Sequence, residues 1–449
     1  MNKKILILTA FLLTRQISLF AQEEILSLRI DTPVENMFQQ LYDVAKMDVM
    51  QSIDKYGNLY MRAWSSLSPV STFINTDGTV TVCASDEKAQ ITYIFELSPD
   101  LEEIKTLNFK NELDMLGAFS KDEEGNYYFF YARVARNTSS ENMAVVMYNN
   151  EGEKINIFKH TANPRDGFSS IKKPFDAGTC RLEISASLIA VFFAHKRFDG
   201  HQASFGFVLD RDTFKRVDRG HAYYYRDGTY PKGSNLMPCS GHSFNQFILP
   251  IENGFVFVDH GDAYPRAFTF GRFLYGAQTV RLNAFKFPGP TGENATYAQM
   301  GGLVKTSEGY IFAGAYGRIS NNPRNIFIIT FDENLTKCSE PLYLTRYTKN
   351  EGHAAYPKIV SIGGGKYLLL WERFSFTTQD ANILYSMYSD YLSTYALVIN
   401  EKGEAVSEIK EFKNIRLNMN DVLRYNAHNG KVYWAVNDSS SITVYGLEI

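Results

Sequence analysis

Cysteine and tryptophan are nearly missing from this chain, with four and three among 449 residues. Four thiols cannot staple a chain of this length, so the fold must rest on an apolar core. Basic blocks are missing too. Net charge is −3 and no Lys/Arg run could track a phosphate backbone, which excludes nucleic acid as a partner. Past the first 13 residues no stretch approaches the roughly 18 uncharged apolar residues of a membrane helix, so no membrane span is expected in the mature chain. GHSFN, around Ser243, is not a G-x-S-x-G elbow, and no glycine motif that binds phosphate opens a helix. No recognised metal-ligand spacing occurs either, and no cofactor is strongly implied.

What is present begins at the N-terminus. MNKKILILTAFLL places Lys3 and Lys4 ahead of an apolar run from Ile5 to Leu13. This pattern predicts a signal peptide over residues 1–21, cleaved after Ala21, and hence an exported protein, periplasmic, cell-surface or secreted. Residues 22–449 are then expected to form a single domain.

Short phrases recur along that domain: NTDGTVTVCAS, DEEGNYYFFYA, IENGFVFVDHG, TSEGYIFAGAY, IGGGKYLLLWE and HNGKVYWAVND. Each is a glycine turn followed by an aromatic and β-branched run, which predicts a tight hairpin leading into a buried strand. ISASLIAVFFAH, near Ser187, fills the double-length gap between Gly125 and Gly254 without a glycine. Most units continue with an apolar strand, an Asp or Asn turn and a more polar strand, as in IFELSPDLEEIKTL. Two hairpins make a four-stranded antiparallel blade, and seven such units predict an all-β, seven-bladed propeller. Counting Gly57 as another unit would give eight. Met37 to Ala45 is the one tempting helix. The last unit is one strand short, and ILSLRID or GNLYMRAW near the N-terminus is expected to complete it, closing the ring between the two ends.

These repeats resemble the β-propeller superfamily and no narrower group. IGGGKYLLLWE looks like a kelch-type Gly-Gly and aromatic pair, but no other unit repeats it. Neither the Gly-His and Trp-Asp signature nor the Asp boxes of sialidases occur.

In a propeller, first strands start and second strands end on one face. That rule gathers His201 and Gln202, then His242, Asn245 and Gln246, the run DHGDAYPR (Asp259, His260, Asp262, Tyr264, Arg266), Tyr316, Arg318, His353, Tyr356 and Arg373 on one rim. Asp259 is expected at the end of the fourth unit's second strand, with His260 and Asp262 toward the central funnel. Tyrosine with Asn, Gln and Asp suits sugar faces and hydroxyls, so a glycan or other cell-surface ligand is the first expectation. The His, Tyr and Arg set also resembles polysaccharide lyases built on propellers, which would make His242 or His260 the base, Tyr264 or Tyr356 the acid and Arg266 or Arg318 the neutraliser. Asp259, His260 and Asp262 with His242 or His201 could instead hold a metal for a hydrolase. A third expectation is a scaffold docking an envelope protein through HAYYYRDGTYPKGSN, residues 221–235. Isolated polar residues on propeller loops often serve only to tie neighbouring blades. Among the cysteines, Cys180 and Cys239 are the expected disulfide, bracing the loop before His242, with Cys83 and Cys338 left as thiols.

Overall fold

The computed structural model describes residues 25–31, 51–53, 59–61, 70–86, 89–162, 171–175, 179–218, 237, 240–292, 296–317, 322–376, 390–417, 421–437 and 441–449. Among them there is no helix, and the strands fall into antiparallel sheets in chain order. The first unit is Ser71–Ile74, Val80–Asp86, Ile91–Leu97 and Glu103–Lys110. Met115–Lys121, Tyr127–Ala132, Glu141–Tyr148 and Lys154–Thr161 make the second. The third is built on Cys180–Ser185, Leu188–Arg197 and Gln202–Asp210; Ile171–Pro174 extends its inner edge, and a lone bridge from Leu209 to Arg216 stands in for a fourth strand. Gly241–Ile251, Gly254–Ala263, Arg266–Leu274 and Val280–Lys286 form the fourth, whose ladder meets that of the third at the Ala203–Gly241 pair.

The fifth unit is Ala298–Lys305, Gly309–Tyr316, Asn325–Asp332 and Leu342–Tyr343, and the sixth is His353–Ser361, Lys366–Phe374, Tyr391–Asn400 and Lys410–Phe412. In the last, Arg424–Asn426, Lys431–Asn437 and Ser441–Glu448 are joined by the N-terminal strand Leu26–Asp31. Of the two candidate closing segments, ILSLRID takes the position. The hairpin flanking residue 57, Gln51–Ile53 with Leu59–Met61, pairs only with itself among the described residues. Met37 to Ala45 lies outside them.

The turns obey local chemistry. Gly78 and Gly125 adopt φ of +85° and +86°, a region glycine enters without a Cβ penalty. Asp122 caps its turn by accepting the Glu124 and Asn126 amides. Between the units lie apolar clusters. Phe129 and Tyr131 of the second unit meet Cys83 and Ile94 of the first, while Phe268 and Phe270 of the fourth meet Phe312 and Phe331 of the fifth. Tyr433 and Val444 of the last unit pack on Val80 and Val82 of the first, so the last sheet is seated against the first. Each fully buried aromatic or branched side chain contributes about 1.5–3 kcal/mol. These clusters between sheets are the core of the β-propeller.

Polar ties supplement them. Glu372 of the sixth unit takes two hydrogen bonds from Arg416, at 3.0 and 3.1 Å, and one from the Leu417 amide. Asp421 accepts from both the amide and the hydroxyl of Thr72 in the first unit. Four innermost strands carry a one-residue bulge, between Leu116 and Ala118, Ser243 and Asn245, Met300 and Gly302, and Ala355 and Lys358. A bulge changes which face the following side chains take.

Candidate functional site

Strand Gly254–Ala263 is hydrogen-bonded on both sides, so its side chains alternate between the third and fifth units. Asp259 faces the third, accepting there from Ser204 Oγ at 2.6 Å, and also takes a hydrogen bond from Ser243 Oγ of its own unit. Burial pushes its carboxyl above the usual value, against the pull of those hydroxyls. His260 faces the fifth unit instead of the funnel. It is fully buried beside Phe268 and Phe287, with Nε2 2.7 Å from Thr296 Oγ1. Burial, helped by the Arg266 charge, holds it down to about 3. Full burial keeps its ring nitrogens from solvent and substrate, which does not fit the base, or the open metal ligand, expected of it. Gly261 is required just after them, because a Cβ there would stand 2.5 Å from Ser240 Cβ.

The end of the run behaves differently. Asp262 is fully buried and lies 3.4 Å from His242 Nδ1 and 3.8 Å from Arg266 Nη1. The His242 ring lies 6.4 Å from that of His201. His201 approaches Asp199 at 3.4 Å, and Asp199 pairs with Arg197 at 2.7 Å. Burial works to raise the Asp199 carboxyl, but the His201 amide and the Arg197 charge outweigh it and lower it. Six residues thus form one chain across the third and fourth units, grading from His201, whose side chain is 66% exposed, to Asp262 at 0%. Tyr264 stands 55% exposed over Gly241 at the end of that chain. Arg266 donates its Nε to the Pro288 carbonyl at 2.9 Å, which fixes the guanidinium in place.

The remaining expected residues are not brought to this cluster. Asn245 and Gln246 are buried ties to Thr179 of the third unit. Tyr316 packs edge-on to Phe285 in the core between the fourth and fifth units. Tyr356 lies in the core between the sixth and seventh, its amide donating to Gln299 Oε1 at 2.7 Å. His353 is sealed between Phe374 and Phe376, and burial with the Arg324 charge holds it well below the histidine range. Arg373 covers the Tyr395 ring at 5.0 Å. Gln202 is half-buried at the start of its strand, opposite Lys196. Arg318 lies outside the described residues.

The cysteine expectation needs correction. Cys180 is a free thiol, buried in the cluster its unit shares with the second, and so turned away from the fourth unit. Cys239 lies outside the described residues. Cys83 is a fully buried thiol and Cys338 a partly buried one.

Among the described residues no group of three or more His, Cys, Asp and Glu side chains is placed to hold a metal. Sequence reasoning passed over a second polar set inside the ring: Arg181, Glu183, Asp421 and Arg424. All lie on or just before innermost strands, each a single charge on an otherwise ordinary stretch, which left little to mark them in sequence.

No family model matches the sequence, and no curated protein does. Solved structures do resemble it. A protein of unknown function from Dyadobacter fermentans is 9% identical, with 75% of this chain and 95% of that one covered at a TM-score of 0.41. The β-propeller domain of the Trilobed protease from Pyrococcus furiosus is 10% identical, covering 78% and 82% at 0.38. Lignostilbene dioxygenase from Pseudomonas brassicacearum is 9% identical, covering 79% and 74% at 0.41.

Proposed function

We propose that this is an exported propeller that binds a glycan or another cell-surface polymer at the rim between its third and fourth units. The observation that carries the reading is the chain from Arg197 through Asp199, His201, His242 and Asp262 to Arg266, with the Tyr264 ring exposed at its end. An exposed tyrosine face suits the apolar side of a pyranose, and fixed carboxylate, imidazole and guanidinium groups suit its hydroxyls.

Binding is favoured over turnover by where the polar groups lie. A lyase needs a base, an acid and a neutraliser converging on one carbon. His260 is sealed, and Arg266 is held by Asp262 and the Pro288 carbonyl, so among the described residues the expected base, acid and neutraliser do not meet at one open point.

The test is co-sedimentation of the mature protein with a panel of neutral and acidic polysaccharides, with ultraviolet absorbance of unsaturated uronates followed in the same tubes. Retention on a polysaccharide without new absorbance is expected. Tyr264→Ala should weaken that retention about tenfold, or about 1.4 kcal/mol, without changing the unfolding midpoint. Rising absorbance would replace the binder with a lyase, and retention on no polysaccharide would move the weight to an envelope protein partner.

A further inference from the structure

The ends of the innermost strands opposite the rim surround a cavity of about 500 Å³, within the range that takes a drug-sized molecule. Its wall is apolar, with Phe73, Phe247, Leu249, Leu303 and Ile359 contributed by the first, fourth, fifth and sixth units. Exposed Lys305 and Ser361 stand at its lip. Charge enters at Glu183 and Arg424, which meet at 3.1 Å.

Further charges lie within the same ring. The Lys358 ammonium donates to the Asp421 carbonyl at 2.6 Å, and Arg181 donates its Nε to the Gln246 carbonyl at 3.1 Å. Asp421 spends its carboxylate on Thr72 and on the Ala435 amide. Among these named groups three cations face two carboxylates, and the nearby Glu372 and Arg416 cancel each other. Burial first, then the Arg181 charge, holds Lys358 below the ordinary lysine value, while Asp421 and Glu372 pull it back up.

We propose that this channel mouth binds a small amphipathic anion, a carboxylate with an apolar body. The apolar body fills the space between Phe73, Phe247 and Leu303, and the carboxylate points inward to Arg424, with Arg181 and Lys358 deeper in the ring. Arg424 is suited to the exchange. Its guanidinium lies 5.9 Å from the Phe73 ring and donates its Nε to the Thr72 carbonyl at 3.2 Å, which leaves the fork oriented while Glu183 shares it.

The site is separate from the rim, and its test is independent of any glycan. The mature protein is titrated with cis-parinaric acid, a fluorescent fatty acid, and with its methyl ester. Saturable binding of the acid, at least tenfold tighter than the ester, is expected. Glu183→Gln should tighten the acid several-fold by removing the competing carboxylate, while Arg424→Met weakens it at least tenfold. Leu303→Trp, which fills the cavity, should abolish binding, and Tyr264→Ala should leave it unchanged. Unfolding midpoints identify any variant that fails to fold, in which case the acid and ester comparison on the unsubstituted protein decides. Equal affinity for acid and ester, weaker acid binding by Glu183→Gln, or no saturable binding would each overturn the proposal.

Discussion

Arg424 of the last unit and Glu183 of the third are 241 positions apart in sequence, yet Nη2 of one stands 3.1 Å from Oε1 of the other across the central channel. Both side chains are partly screened, 27% and 12% exposed, so the pair lies between a surface bridge and a buried one. Glu183→Gln should therefore cost about 1 kcal/mol in urea unfolding. A double-mutant cycle with Arg424→Gln should return a coupling of similar size, and a coupling near zero would mean the two groups do not meet in solution.

The N-terminal strand supplies a second prediction. Ile30 pairs with Ile442 and is 8% exposed in the cluster shared by the last and first units. Ile30→Ala should destabilise the protein by about 2–4 kcal/mol, a core-truncation value. Chemical denaturation checks this, and an unaltered midpoint would show that Leu26–Asp31 does not complete the last sheet.

Three buried histidines predict a pH dependence. Burial with the Arg197 charge pushes His195 down to about 3, burial with Arg266 does the same to His260, and burial with Arg324 holds His353 well below its usual value. In the unfolded chain each takes a proton near pH 6.5, so below that pH the unfolded state binds more protons and stability falls. The loss is up to about 1.4 kcal/mol per pH unit for each histidine. Asp259 and Asp421, raised by burial, work in the opposite direction, so removing their carboxyls should steepen the fall. Unfolding midpoints measured between pH 7 and about 5 should fall steadily, and His260→Gln should make that slope shallower by about one proton.

Gly261 gives the fourth. Gly261→Ala places a methyl group 2.5 Å from Ser240 Cβ, an overpacking that should cost about 1–3 kcal/mol. Adding Ser240→Gly should recover most of the loss. If the pair of changes is no more stable than Gly261→Ala alone, some other neighbour sets the close approach.

Much of the architecture was readable because its signals are local. Asp77, Asp122 and the glycines that follow them specify turns within four residues, and each turn is followed by its own buried run. The third unit could be placed from Ser185 and Leu188 without a glycine, since the apolar run alone marks the strand. Closure was ambiguous because two N-terminal segments share one pattern, and only pairing with Ser441–Glu448 separates them.

The site was less readable. Chain order carries His242 and Asp262 to one end of the ring, but it does not say which way a side chain turns. The bulge between Ser243 and Asn245 and the one after Ala355 shift the alternation by one residue, and they send Asn245 and Tyr356 into contacts between units. A bulge is set by the neighbouring strand and leaves little trace in sequence. Arg181 and Arg424 were overlooked because each is a single charge on an otherwise ordinary strand, and only the ring brings them together.

The pairing of Leu26–Asp31 with Ser441–Glu448 also governs the order in which the molecule can be made. Leu26–Asp31 finds its partner only when residues 441–448, about 410 positions later, have been added. Every other sheet can assemble from a local stretch of chain, whereas this one has the longest loop to close. Until then the last sheet has an open edge and the apolar surface between first and last units is uncovered. Fraying of either strand opens the same sheet, so the two strands act as one lock.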